Sequence, residues 1–246
     1  MKPYYDFEKI KYSTDGPTFE KAVDIHEVGR VQGVSENAVD HSVHATVLGS
    51  KPYRVFVSLH HYDEGNCECY LGQRDILCKH MVALAIYAVM NGKSIPKEDK
   101  ELPGFPVCSG RKGEINENEL KKFKKAVTSA MTYIKPYNGP SKIWFAYQNS
   151  LMEGCNRLTP LVSKLPVSFQ TATLLVNMLL RLERKICNGV DDSDGTVGGF
   201  MQQTVDVLLK YVEVDPNCVE AFKPLVGLET CFGFEEPLVR ILDEMD

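Results

Sequence analysis

The chain has 246 residues, of which 43% are hydrophobic and 25% charged, with a net charge of −5. That balance is ordinary for a globular protein able to bury a core of its own in one or two domains. It excludes dependence on a disulfide framework and, over the chain as a whole, the strongly basic footprint of a nucleic-acid binder.

The opening residues, MKPYYDFEKI, lack the apolar core of a signal peptide. The longest fully apolar run, Met81–Met90, is too short to cross a bilayer and suits a buried helix. The expectation is a soluble, cytoplasmic protein with no membrane partner. Gly16-Pro17 marks the start of a short helix through about Ala22, because proline is preorganised for a first helical position. Ile25–Gln32 reads as a strand. His41–Leu48 alternates, with Val43, Ala45 and Val47 on one face, and Tyr53–Leu59 alternates again, with Tyr53, Val55, Val57 and Leu59 together. Gly49-Ser50 between them has the chemistry of a two-residue type II′ turn, so the pair reads as a hairpin. The Met81–Met90 helix stops at Asn91-Gly92.

From Ser94 to about Gly113 the chain holds Pro96, Pro103 and Pro106 with Gly104, Gly110 and Gly113, and no periodicity. It reads as a linker. From Glu117 onward the pattern is helical. Phe123, Val127, Ala130, Met131 and Ile134 form one stripe, Ala172, Leu175, Leu179, Leu182 and Ile186 a second, and Val205, Leu208, Leu209 and Val212 a third. Breaks are expected at 136–140, at 160–166, at 188–195 and at Asp215-Pro216, giving five or six helices in a bundle or a short repeat-like array. The fold class is therefore α+β: a hairpin-plus-helix module over 1–93, a Pro/Gly-rich linker over 94–116 and an all-helical domain over 117–246.

The chemistry lies in Asn66-Cys67-Glu68-Cys69-Tyr70 and Leu77-Cys78-Lys79-His80-Met81. Three thiolates and one imidazole are the ligand set zinc prefers in closed tetrahedral sites, and four protein ligands leave no position for a catalytic water. One structural Zn²⁺ on Cys67, Cys69, Cys78 and His80 follows. Residues two apart point the same way on a strand, so Cys67 and Cys69 can share an ion at the end of an extended segment. In a helix the same spacing is nearly opposite. Cys78 must then lie just before the helix, with His80 in its first turn, which is where the apolar run begins. A thiolate also suits the positive end of a helix dipole. His60 and His61 lie nearby but read as strand-end histidines. Five cysteines remain, Cys108, Cys155, Cys187, Cys218 and Cys231, and they read as buried free thiols.

The C-x-C, eight residues, C-x-H pattern, with a hairpin before it and an apolar helix after it, resembles the SWIM-type zinc finger over roughly residues 20–92. The resemblance implies the same four ligands and binding to protein or DNA, in or beside Swi/Snf-type helicases, Mutator-type transposases or ubiquitin-related signalling proteins. From His41 to Lys93 there are five basic residues (Lys51, Arg54, Arg74, Lys79, Lys93) against four acidic ones (Asp63, Glu64, Glu68, Asp75), a net of +1. A zinc held by three thiolates carries −1. Phosphate binding needs clustered cations, so a protein partner ranks before DNA. The basic stretch Arg111–Lys125 is interleaved with Glu114, Glu117 and Glu119 and reads as a solvated helix face.

No P-loop, G-x-S-x-G or H-E-x-x-H is present, and no small-molecule substrate is indicated. A non-enzymatic interaction protein is expected first. A DNA-binding finger acting with a Swi/Snf-type helicase comes second, and an enzyme using a metal on Asp192 and Asp194 third. Aligning Gly195 with the glycine of a calcium loop puts Val190 at the first ligand, which fails the loop, so helix capping is the simpler role for those acids.

Overall fold

The computed structural model describes residues 2–102, 104–139 and 144–245. They form two compact units, Met1–Leu102 and Pro103–Asp246. The first is α+β and the second helical. Among the described residues no helix is long and apolar enough to cross a membrane.

The first unit opens with α1 (Phe7–Ser13) and α2 (Gly16–Glu27), each started by an aspartate whose carboxylate accepts from the first turn: Asp6 from Lys9 N–H and Asp15 from Thr18 N–H. α2 therefore runs past Ala22 and takes Ile25–Glu27, which the sequence suggested were strand. The reason is its buried stripe, Phe19, Ala22, Val23 and His26, which has helical spacing. Gly29, at φ 68°, ends it: Gly29 N–H bonds His26 O and Arg30 N–H bonds Ile25 O, a Schellman pair.

A four-stranded antiparallel sheet follows, in the order β1 (Val31–Asn37), β2 (Ser42–Leu48), β3 (Pro52–Ser58), β4 (Gly65–Cys67). The hairpin of β2 and β3 has Val43 opposite Val57, Ala45 opposite Val55 and Val47 opposite Tyr53. Leu48 pairs with Pro52, so the loop is the three residues Gly49, Ser50 and Lys51. Gly49 does not have the positive φ that a two-residue type II′ turn demands, and that expectation is corrected. α3 (Lys79–Met90) lies against the sheet with Met81 to Ile86 fully sequestered, and Asn91 and Gly92 close it in left-handed conformations.

The stretch expected to be a linker is divided between the units. Ile95 is buried in the first, and the Glu27 carboxylate accepts from Ile95 N–H (2.8 Å) and Ser94 Oγ (2.9 Å) and pairs with Lys100. In the second, Arg111 O accepts from Val167 N–H (2.6 Å), Val167 O accepts from Gly113 N–H (3.1 Å), and Ser109 Oγ donates to Leu165 O (2.7 Å). Backbone hydrogen bonding, which composition does not reveal, ties both halves down. Pro103 lies outside the described residues.

The second unit comprises α4 (Glu117–Ala130), α5 (Trp144–Lys164), α6 (Phe169–Cys187), α7 (Thr196–Val214), a 3₁₀ helix (Pro216–Leu225) and α8 (Glu236–Met245). Asn116 and Glu119 form a capping box at the start of α4. The expected break at 136–140 ends at Pro140, outside the described residues. The break expected over 160–166 falls later, at 165–168: α5 ends at Lys164, and Pro160 lies inside it. An interior proline costs about 3 kcal/mol. Leu151, Leu158 and Val162, on both sides of it, are wholly buried, and burial of such side chains returns about 1.5–3 kcal/mol each. The stripe Ala172, Leu175, Leu179, Leu182 of α6 faces the same core.

Candidate metal centre

Each ligand is delivered by a different local device. Cys67 ends β4 opposite Val55, so it shares the apolar face of the sheet. The chain then turns through Cys69 into a short 3₁₀ turn, Gly72–Arg74, and Gln73 N–H bonds Cys69 O at 3.0 Å. Cys78 is the N-cap of α3, in extended conformation, and His80 is in the first turn. The spacing required this arrangement, since only a non-helical Cys78 can aim at the same ion as His80.

All four side chains are buried, and their ligand atoms lie within 4.8 Å of one another. His80 Nδ1 is 3.7 Å from Cys67 Sγ and 3.9 Å from Cys78 Sγ. With Zn–S near 2.3 Å and Zn–N near 2.0 Å, neighbouring corners of a zinc tetrahedron stand about 3.6–3.8 Å apart. The donor set and its spacing fit one structural zinc, with Nδ1 as the imidazole ligand.

Electrostatics favour thiolate at Cys78. Cys69 N–H donates to Cys67 Sγ and Gly72 N–H to Cys69 Sγ, both at 3.4 Å. Cys78 is pushed down to about 4, first by a hydrogen bond from Cys67 and then by His80 and the Met81 N–H at the start of α3. Cys67 moves up because it donates to Cys78 and is buried.

Two glycines and a tyrosine complete the shell, and sequence reading did not single them out for it. A Cβ on Gly72 would stand 2.3 Å from Cys67 O, so only glycine lets the turn close over the cysteine. A Cβ on Gly49 would stand 2.7 Å from His80 Nε2. The Tyr53 ring lies 4.7 Å from the His80 ring, and the same Cβ on Gly49 would stand 2.9 Å from Tyr53 Cε2. Their signal in the sequence was only a glycine between the two ligand pairs and one in the hairpin loop.

The family comparison agrees with this geometry. Residues 53–88 match the SWIM zinc finger. The matched segment holds all four cysteine and histidine ligands, together with β3 from its second residue, β4 and most of α3. No curated protein and no solved structure matches the chain.

The SWIM segment does not draw in the neighbouring histidines. His60 is exposed and stacks on Tyr4 at 4.5 Å, and His61 is exposed. Asp192 and Asp194 are occupied as helix caps. Asp192 accepts from Val197 N–H (2.7 Å) and Gly198 N–H (2.8 Å), and Asp194 from Thr196 N–H (3.1 Å). Burial raises the Asp192 carboxyl above its ordinary range. Of the cysteines expected to be buried, Cys155 and Cys218 are, Cys108 is half-buried, and Cys187 and Cys231 are exposed. Cys187 is the last residue of α6 and Cys231 lies in a loop, so tertiary position overrides the thiol's apolar preference.

Proposed function

We propose that this chain is a non-enzymatic interaction protein whose SWIM segment binds a protein partner. The observation that carries the reading is the solvent-facing side of the sheet. His44 stacks on Phe56 at 5.3 Å there, and Phe56 is 39% exposed. The neighbouring arginine, Arg54, is engaged by Glu68: its Nε donates at 2.7 Å, its NH2 lies 2.6 Å from the same carboxylate oxygen, and its backbone N–H bonds the other oxygen. A half-exposed aromatic beside a neutralised cation suits a protein interface, where aromatics are enriched. It offers little for the counterion release that drives DNA binding. The helical unit adds an apolar cleft of about 780 Å³ between α4 and α6, lined by Phe123, Val127, Leu174 and Met178 with Lys124 and Arg181.

The test places a photo-crosslinking residue at position 56 of the full zinc-loaded chain in cells. Adducts to protein that disappear when the metal ligands are replaced are expected. Adducts to nucleic acid, together with duplex-DNA binding that falls steeply between 50 and 200 mM salt, would overturn the reading in favour of DNA.

A further inference from the structure

Away from the zinc centre, the end of α6 meets the loop between the 3₁₀ helix and α8. Cys187 Sγ and Cys231 Sγ stand 2.9 Å apart, 44 residues distant in sequence, and both residues are exposed. Glu183, one turn before Cys187 on α6, holds both. Its Oε1 accepts from Cys231 N–H at 2.7 Å and from Cys187 Sγ at 3.3 Å. The carboxylate thus fixes the loop backbone and the helix-end thiol at once.

Two chemistries use paired thiols beside a carboxylate, and the spacing separates them. Two thiolates on one tetrahedral zinc stand about 3.8 Å apart, because each Zn–S bond is about 2.3 Å. A disulfide brings its sulfurs to about 2.05 Å. At 2.9 Å the pair is closer than a shared zinc permits and approaches the distance of a disulfide. We propose that Cys187 and Cys231 are a reversible redox site that forms an intramolecular disulfide with a low-molecular-weight disulfide as oxidant.

The step balances as follows. Cys187 gives up its proton and its sulfur attacks one sulfur of RSSR, breaking that S–S bond and releasing RS⁻. Cys231 then loses its proton and attacks the Cys187 sulfur of the mixed disulfide, forming the Cys187–Cys231 bond and releasing the second RS⁻. The two protons end on the released thiolates, so two protein thiols are oxidised while RSSR is reduced to two RSH. The Cys231 thiol is pushed up by its hydrogen bond to Cys187 and then by Glu183, and the product is the same whichever sulfur attacks first. The product fastens the loop carrying Val226, Leu228 and Phe232, all well exposed, to the end of α6. Because the closed loop spans α7 and the 3₁₀ helix, the bond restricts the unfolded chain and strengthens the helical unit.

The full zinc-loaded protein, reduced and then treated with glutathione disulfide, is mapped by tryptic mass spectrometry. A linked pair of peptides containing Cys187 and Cys231 is expected, reversed by dithiothreitol. The oxidised helical unit should melt higher by roughly 8–16 °C, from the loop size and the usual conversion for a unit of this length. C187S and C231S should abolish the link, and Glu183→Gln, which keeps the acceptor oxygen but removes the charge that holds Cys231 protonated, should speed its formation while leaving the melting temperature of the reduced protein nearly unchanged. Stable glutathione adducts on either cysteine with no internal link would overturn the proposal. So would a second equivalent of zinc that is lost in C187S.

Discussion

The two units secure their folds by different means. The N-terminal unit has four short strands, the shortest of three residues, and among its buried side chains are three cysteines and a histidine that converge on one point. The C-terminal unit has three helices of 19 to 21 residues whose buried side chains are mostly apolar, with Gln148, Glu153, Thr159, Thr171 and Thr204 the polar ones. A module of the first kind buries little surface per residue and draws much of its folding free energy from the ion. A unit of the second kind draws it from area and packing. The difference teaches that removing a single ligand atom can be more damaging in the first than removing a whole side chain in the second.

Metal removal is the strongest way to break that comparison. Chelation, or Cys78→Ser, should abolish the fold of the N-terminal unit, a loss on the order of 10 kcal/mol by comparison with other structural zinc sites. In an ¹⁵N–¹H spectrum, signals of residues in the sheet should collapse while those of α6 and α7 stay dispersed. Retention of the sheet signals without zinc would show that the apolar core alone suffices.

The converse change sharpens the contrast. Leu158 is wholly buried between helices, and Leu158→Ala should cost about 3 kcal/mol from the lost transfer energy and the cavity. Calorimetry should show the helical transition move down and the zinc-dependent one stay in place.

The smallest effect concerns the Ser94–Leu102 tail of the N-terminal unit. Its contacts pull the Glu27 carboxyl down to about 2, led by the Ile95 N–H and then by Lys100. A depressed carboxylate contributes stability that is fully present above its unfolded value, near 4.3, and fades as pH falls toward 2. Because zinc is released in acid before that range is reached, the test stays at neutral pH: Glu27→Gln should cost about 1–2 kcal/mol at low salt and less at 1 M salt, read from urea unfolding of the zinc-loaded protein at the two salt concentrations. An equal cost at both would show that the contacts do not depend on charge.

Where sequence reading reached and where it stopped follows the same division. Cys67, Cys69, Cys78 and His80 were legible because metal ligation fixes both residue type and spacing, and the spacing in turn placed the start of α3. Val43, Val47, Val55 and Val57 were legible because a half-buried strand repeats every two residues. β1 was not: Gln32, Ser35, Glu36 and Asn37 are poor strand formers, and only pairing with β2 holds them extended. The unbroken α5 was hidden because a proline reports its local penalty and not the packing that offsets it.

The sequence by itself determined the ion, its four ligands, the hairpin and the helical stripes, since each rests on a local period or a ligand count. Only the tertiary structure decided which glycines the zinc shell requires, how residues 94–116 are shared between the two units, and that Cys187 and Cys231 meet. Those outcomes depend on groups far apart in the chain whose closeness is set by packing, and no local pattern carries that distance.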